Sequence, residues 1–145
     1  MQTSFTDKQL LDKDNKSSES ILRKCVHCGM CNATCPTFCV NGEELEGPRG
    51  RIYLIKDMLE NKKPANKKVV KHIDSCLSCY SCMTTCPSGV NYMHLIDHGR
   101  NYVEETYKRP FFDRLFRNVL SFVLPRPKVF LVLAYLTKLI KPFSF

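Results

Sequence analysis

Residues 25–36 read CVHCGMCNATCP, and residues 76–87 repeat this spacing of cysteines and proline as CLSCYSCMTTCP. Each run has the form C-x2-C-x2-C-x3-C-P, and the second run lies 51 positions after the first. The first three cysteines of a run fall within seven residues, so a short backbone loop can bring their sulfur atoms to one metal centre. The fourth cysteine points away from that loop. The duplicated run therefore predicts two metal centres that are built together.

This form of run is typical of proteins that bind two iron–sulfur clusters, in which the fourth cysteine of each run ligates the cluster of the other run. We predict that the set for cluster 1 is Cys25, Cys28, Cys31 and Cys86, and that the set for cluster 2 is Cys76, Cys79, Cys82 and Cys35. Four cysteines saturate the irons of each [4Fe–4S] cluster and leave no open iron for a substrate. The chain is thus expected to relay electrons and to have no catalytic residue of its own.

Other roles for the cysteines are less favoured. A zinc site also begins with C-x2-C, but the third cysteine and the following C-P have no place in its two pairs of ligands. A disulfide framework needs an oxidising compartment, and the polar stretch Met1–Lys8 is not followed by the apolar segment of a signal peptide. We therefore expect a cytoplasmic protein with reduced thiols. A further alternative to electron transfer is that the clusters only stabilise the fold. The ninth cysteine, Cys39, is predicted to be a packing residue outside both sets.

The net charge of +8 is concentrated at one end of the chain. Residues 1–107 carry 14 lysines and arginines against 13 acidic residues, whereas residues 108–145 carry eight against Asp113 alone. An oxidised [4Fe–4S] cluster with four thiolates has a charge of about −2. The first part is therefore mildly acidic when both clusters are bound, and no nucleic-acid-binding face is predicted there.

The pattern of apolar residues predicts helices on both sides of the runs. Residues 1–16 are polar and predict a flexible lead, after which Ser17 or Ser18 caps a short helix. Apolar residues recur at helical spacing in residues 51–60 and 67–74, and a further helix is predicted over 91–107. The predicted fold class is mainly α. Residues 17–107 are expected to resemble an α-helical ferredoxin domain with two clusters, and not the β-containing fold of small bacterial ferredoxins.

Residues 108–145 predict a basic helical hairpin. Residues 111–123 form a broad apolar stripe opposite a charged face, prolines follow, and residues 129–140 are apolar around most of a helix. At about 1.5 Å per residue this second segment reaches roughly 18 Å, short of the roughly 30 Å of a membrane core, so it is not expected to span. The hairpin either packs against protein or lies on an anionic membrane surface, and we favour packing.

Three stretches closely resemble the iron–sulfur subunits of the glycolate oxidase (glycolate dehydrogenase) family: residues 25–37, GPRGRIYLI at residues 47–55, and residues 76–90. The resemblance implies a subunit that takes electrons from flavin-bearing partner subunits and passes them toward the membrane quinone pool. It also implies possible peripheral contact with the inner face of the cytoplasmic membrane. Family members continue into cysteine-rich domains with Cys-Cys-Gly motifs, which do not occur before Phe145. We therefore expect a fragment, or a chain whose missing part is supplied by another.

Several points stay open at this level. Other respiratory dehydrogenases, such as the anaerobic glycerol-3-phosphate and lactate enzymes, carry similar cluster motifs, although the GPRGR segment favours glycolate. Arg49 and Arg51 of that segment either steady cluster charge or dock a partner, or they are surface charges at a helix start. His27 lies between two ligands and is expected to face solvent or form a hydrogen bond, since the set of cysteines is already complete. No role is predicted for the other histidines.

Overall fold

The computed structural model describes residues 1–140, with side chains as far as Tyr135. Residues 141–145, the end of the predicted basic tail, lie outside the described residues. Within the described part, the secondary structure is helical and contains no β-strand, so the mainly α prediction is confirmed. The α-helices are α1 Lys13–Lys24, α2 Pro36–Asn41, α3 Pro48–Asn61, α4 Lys67–Asp74, α5 Ser81–Thr84, α6 Tyr92–Thr106, α7 Phe111–Val123 and α8 Pro127–Ile140. Short 3-10 helices span Gln9–Leu11, Met30–Asn32 and Glu44–Glu46.

The chain divides into two compact units, Met1–Tyr107 and a second that begins at Lys108. In the first unit, α3 and α6 pack against each other, and α1 and α4 pack against both. Their fully buried leucine, isoleucine and valine side chains are Leu22, Ile55, Ile73, Leu95, Ile96 and Val103. Helices α3 and α6 come close at Gly99, where a Cβ would lie 2.8 Å from Ile55 Cγ1. This small helical core is the scaffold from which both cysteine runs project.

The N-terminal residues differ from the prediction of a flexible lead with a helix starting at Ser17 or Ser18. Helix α1 begins at Lys13, because the side chain of Asp12 caps it by accepting a hydrogen bond from the backbone N–H of Asp14. Ahead of it, Gln9 is buried, and its Nε2 donates to the carbonyl of Leu59 at the end of α3 over 2.9 Å. The last carbonyls of a helix have no intrahelical hydrogen-bond partner. The polar side chain of Gln9 donates to such carbonyls, so the polar composition of this N-terminal segment does not make it flexible.

The described residues of the second unit contain α7 and α8. Their axes are bent by 109° across the break between them. Helix α7 leaves its apolar side chains exposed, among them Phe111, Phe112, Leu115 and Phe116. Neither helix alone is long and apolar enough to cross a membrane, and the bent pair passes that test only when both helices are counted together.

Candidate metal centres

The eight cysteines of the two runs line two cavities in the first unit. The first cavity is lined by Cys25, Cys28, Cys31, Cys82 and Cys86, and the second by Cys35, Cys76, Cys79 and Cys82. Each cavity thus contains the four cysteines of one predicted set, including the fourth cysteine of the other run. Cys82 belongs to the wall between the cavities. Folding has brought together side chains that are as much as 61 positions apart, as in the pair Cys25 and Cys86.

The backbone of the two runs repeats as well as the cysteines. His27 and Ser78 have φ of +55° and +53°, and Gly29 and Tyr80 have φ of +81° and +56°. These pairs occupy matching positions in the runs. A non-glycine residue in the left-handed region costs free energy and persists where the surroundings hold it. The shared conformation indicates that each loop is shaped to direct three sulfur atoms inward.

The two runs touch at equivalent residues. Thr34 and Thr85 each precede the fourth cysteine of a run, and their hydroxyl oxygens are 2.9 Å apart. Thr34 Oγ1 also lies 3.5 Å from the carbonyl of Ser81, in the opposite run. A contact between matching positions implies that the runs are related by an approximate two-fold axis. That relation places Cys35 and Cys86 next to the partner run, where the predicted exchange of ligands needs them.

The cysteine thiols of the two cavities lie close together, and this arrangement favours binding of positively charged metal ions. Burial, together with the charges of Cys31, Cys35, Cys76 and Cys79, raises the pKa of the Cys82 thiol to about 12. Burial and nearby thiols also raise the pKa of Cys31. Thiolates packed this closely repel one another unless positive charge lies between them. A donor set of four thiols in each cavity therefore fits a thiolate-bound iron–sulfur cluster.

The segment Gly47–Arg51 lies between the cavities. Pro48 lines both of them, Arg49 lines the first, and Arg51 lines the second. Positions i and i+2 of a helix point about 200° apart, so the start of α3 sends one arginine to each side. Gly50 is required between them, because a Cβ there would lie 2.2 Å from the carbonyl oxygen of Glu44. The structure places both arginines beside the predicted clusters, which agrees with the first of the roles left open for them, that of steadying cluster charge.

Arg51 is the centre of a buried polar network. Its side chain is 1% exposed, and its Nη2 donates to Glu46 Oε2 over 2.9 Å and to Ser75 Oγ over 3.0 Å. His72 Nδ1 lies 2.7 Å from Glu46 Oε1, and Ser75 also donates to this carboxylate. Burial alone would raise the pKa of Glu46, but the hydrogen bonds from Ser75 and His72 and the charge of Arg51 outweigh it and lower the pKa.

This network was not predicted from the sequence. No role was predicted for His72, and neither Glu46 nor Ser75 was predicted to be a site residue. One signal was present, since Glu46 lies immediately before Gly47 and five positions before Arg51, within reach of one turn. Nothing local indicated that α4 would bring His72 to the same place, because that contact depends on tertiary packing.

Tyr92 was also missed. It lines both cavities, and its hydroxyl donates to Cys76 Sγ over 3.6 Å. Burial and the charge of Cys76 raise the pKa of Tyr92, so the hydroxyl stays protonated and remains a donor. The position is the first residue of α6, five residues past Pro87. A tyrosine at the start of a predicted helix gave no sign of a sulfur partner.

Two minor predictions have different outcomes. Cys39 is exposed, with its Sγ 3.4 Å from the carbonyl of Ala33, so the prediction of a packing residue is wrong. The short helix α2 turns this side chain away from the core. His27 lines the first cavity, and its Nε2 is buried without a hydrogen-bond partner. This ring nitrogen is therefore not solvent-facing.

Comparison with known proteins gives a domain family and named relatives. Residues 21–90 match the model of the 4Fe-4S dicluster domain. The chain is 49% identical over 143 residues to the glycolate oxidase iron–sulfur subunit of Escherichia coli K12, a match that covers 99% of this chain and 35% of that protein. It is 32% identical over 117 residues to the protein named probable glycolate oxidase iron–sulfur subunit of Bacillus subtilis 168, covering 77% of this chain and 26% of that protein.

A more distant match is the mitochondrial succinate dehydrogenase iron–sulfur subunit of Candida glabrata, which is 27% identical over 84 residues. No solved structure matches the chain. The chain spans about a third of the length of the curated relatives it matches. The comparisons therefore cover the cluster region and the tail, and leave most of each relative without a counterpart here.

Proposed function

Residues 21–90 belong to the 4Fe-4S dicluster domain family, the chain as a whole is related to glycolate oxidase iron–sulfur subunits, and from this we propose that it is the electron-transfer part of a flavin-dependent glycolate-oxidising complex. The observation that carries the proposal is the pair of cavities, each of which is lined by all four cysteines of one predicted set, drawn from both runs. When bound, [4Fe–4S] clusters supply one-electron carriage. Sharing ligands between two runs keeps two such carriers close together, as a relay requires.

The residues of this chain then have separate tasks. The first set, Cys25, Cys28, Cys31 and Cys86, would hold one cluster, and the second set, Cys76, Cys79, Cys82 and Cys35, would hold the other. Because all four positions of each set are cysteines, neither site offers an open iron to a substrate. Oxidation of glycolate is therefore assigned to flavoprotein partner subunits, and the onward acceptor to the quinone pool. We accordingly propose that the complex is cytoplasmic, with peripheral contact at the inner face of the cytoplasmic membrane.

Reduction by substrate tests this assignment. We expect glycolate, added anaerobically to the assembled complex, to reduce the clusters of this chain and to produce an EPR signal. The same addition to the isolated chain should produce none, because the proposal assigns the oxidation of glycolate to the partner subunits. Lactate and glycerol-3-phosphate, added to the same complex in separate samples, are the control substrates.

Two results would contradict the proposal. Reduction by glycerol-3-phosphate or lactate but not by glycolate would assign the chain to another respiratory dehydrogenase, a class to which the matched succinate dehydrogenase subunit also belongs. Reduction of the isolated chain by glycolate would place the oxidising site on this chain.

The exposed apolar face of α7 is proposed to pack against protein in the assembly. Phe112 is 81% and Phe116 is 63% exposed, while Asp113 bridges Arg109 and Arg117 on the charged face. We expect the isolated chain to float with anionic liposomes. Phe116→Glu should reduce the floating fraction more than Arg114→Gln, a variant on the charged face of the same helix. The assembled complex should not float through this helix. If Phe116→Glu releases the full complex from liposomes, the helix lies on the membrane instead.

A further inference from the structure

The guanidinium of Arg51 touches a predicted cluster ligand. Its Nη1 donates to Cys35 Sγ over 3.9 Å, while its Nε donates to the carbonyl of His72 over 2.7 Å. The carbonyl bond and the Nη2 contacts with Thr37, over 3.1 Å, and with Glu46 fix the orientation of the planar group. A guanidinium held at so many points presents the same N–H to the sulfur atom at all times.

The ion pair of Arg51 and Glu46 is oriented with its positive end toward the sulfur. The carboxylate of Glu46 is held by His72 Nδ1 and by the hydroxyl of Ser75, and the backbone carbonyl of Glu46 lies 3.7 Å from Cys35 Sγ. Both charged side chains are almost completely buried, at 1% and 4% exposure. In such a poorly solvated place a fixed dipole acts strongly on a neighbouring charge, because little water screens it.

Two further hydroxyls lie beside the sulfur atoms of the same set. Tyr92 donates to Cys76 Sγ, as described above, and Thr37 Oγ1 is 3.2 Å from Cys35 Sγ. Arg51, Tyr92 and Thr37 come from three different segments of the chain, which fold around the second cavity. Because the hydroxyl hydrogen of Thr37 donates to the carbonyl of Glu46, the donors to this set are Arg51 on Cys35 and Tyr92 on Cys76.

The sulfur atoms of the first set have less positive charge and fewer hydrogen-bond donors near them. Arg49, which lines that cavity, is 35% exposed, and its Nε donates to the exposed Glu44. Its charge is thus screened by water and balanced by its carboxylate partner. Among the described residues, Cys86 Sγ receives a hydrogen bond of 3.5 Å from the backbone N–H of Val90. His27 also lines this cavity, but its Nε2 has no hydrogen-bond partner among the described residues.

We propose that Arg51, supported by Tyr92, makes the second centre the higher-potential member of the pair, so that it is reduced before the first. Adding one electron to a cluster increases its negative charge, and hydrogen bonds and positive charge at the ligating sulfur stabilise that reduced form. The inference rests on the proposed function, because it needs both clusters. Arg51 is a positioning residue in this account, since it acts through Cys35 and touches no substrate.

The consequence is a direction for electron flow within the chain. Electrons that enter through the first centre move downhill to the second, next to Arg51 and Tyr92. The duplicated sequence by itself would make the two centres alike. The asymmetry comes from α3 and α6, which bring Arg51 and Tyr92 to the second set.

An anaerobic redox titration of the cluster-loaded full chain, monitored by EPR, tests the proposal. Two midpoint potentials are expected. Tyr92→Phe and Arg51→Lys should each lower the higher midpoint and leave the lower one in place, and the double variant should lower it further. Tyr92→Phe removes one hydroxyl and keeps the ring, so it reports on the potential even if Arg51→Lys binds less iron.

Matched controls are Tyr53→Phe, on the exposed face of α3, and Arg49→Lys at the first cavity, neither of which should move the higher midpoint. Three results would overturn the proposal. Tyr92→Phe and Arg51→Lys could both decrease the more negative of the two midpoint potentials, each could shift a different midpoint potential, or neither could shift any. In those cases the iron content still supports a two-cluster relay. A chain that binds no iron–sulfur cluster would instead overturn the proposed function together with this inference.

Discussion

Replacing Cys86 with alanine is expected to remove about half of the bound iron, and the loss should come from the first set although Cys25, Cys28 and Cys31 are intact. The reason is that Cys86, from the second run, lies in the cavity of the first set. Cys39→Ala is the matched control, because Cys39 is exposed and outside both cavities. It should leave the iron content unchanged.

Double variants show which cysteines share a cluster. If ligands are exchanged, Cys25→Ala with Cys86→Ala damages a single set, and about four irons remain. Cys76→Ala with Cys86→Ala damages both sets, and iron binding is lost. Ligation within each run predicts the reverse for these two pairs, so the measured iron per chain decides between them. We also expect the Cys76 and Cys86 pair to lose helical circular dichroism, since metal binding stabilises small folds of this kind.

Arg51→Ala is expected to destabilise the first unit by about 3–5 kcal/mol, because it leaves the buried carboxylate of Glu46 without its cation. A loss of this size is a large part of the roughly 5–15 kcal/mol by which native proteins are stable. The measurement is thermal unfolding of the cluster-loaded chain under anaerobic conditions, followed by circular dichroism.

The control for Arg51→Ala is Arg49→Ala in the same segment. Arg49 and Glu44 form a partly exposed pair, and such pairs contribute only about 0.2–1 kcal/mol. The double variant Arg51→Met with Glu46→Met should be less destabilised than Arg51→Met alone, since it leaves no unpaired buried charge. Equal effects of Arg49→Ala and Arg51→Ala would show that the buried network does not stabilise the fold.

The grouping of the eight cysteines into two cavities could be predicted from their spacing, and their ligation of clusters stays a prediction. The spacing C-x2-C-x2-C-x3-C-P leaves few ways to saturate two clusters, and the structure brings each predicted set into one cavity. The helices α3, α4 and α6 were likewise predictable, since their apolar residues recur at helical spacing. Both are local patterns that tertiary packing does not overrule.

The surroundings of the clusters could not be predicted in this way. Glu46 and Arg51 are close in the sequence, but only the packing of α4 against α3 brings His72 to the same carboxylate. Each is charged or titratable, so the sequence alone suggests an exposed position. The N-terminal residues were mistaken for a loose lead for the same reason, because the buried contact of Gln9 with Leu59 depends on the folded end of α3.

The most direct test of the account is iron and acid-labile sulfide analysis of the anaerobically purified chain, with EPR of the reduced sample. Two fully cysteine-ligated [4Fe–4S] clusters held close together predict about eight irons and eight sulfides per chain, and a spectrum of two interacting spins. Zinc in place of iron, about four irons with an isolated spin, or clusters that no mild reductant reduces would contradict a two-cluster relay.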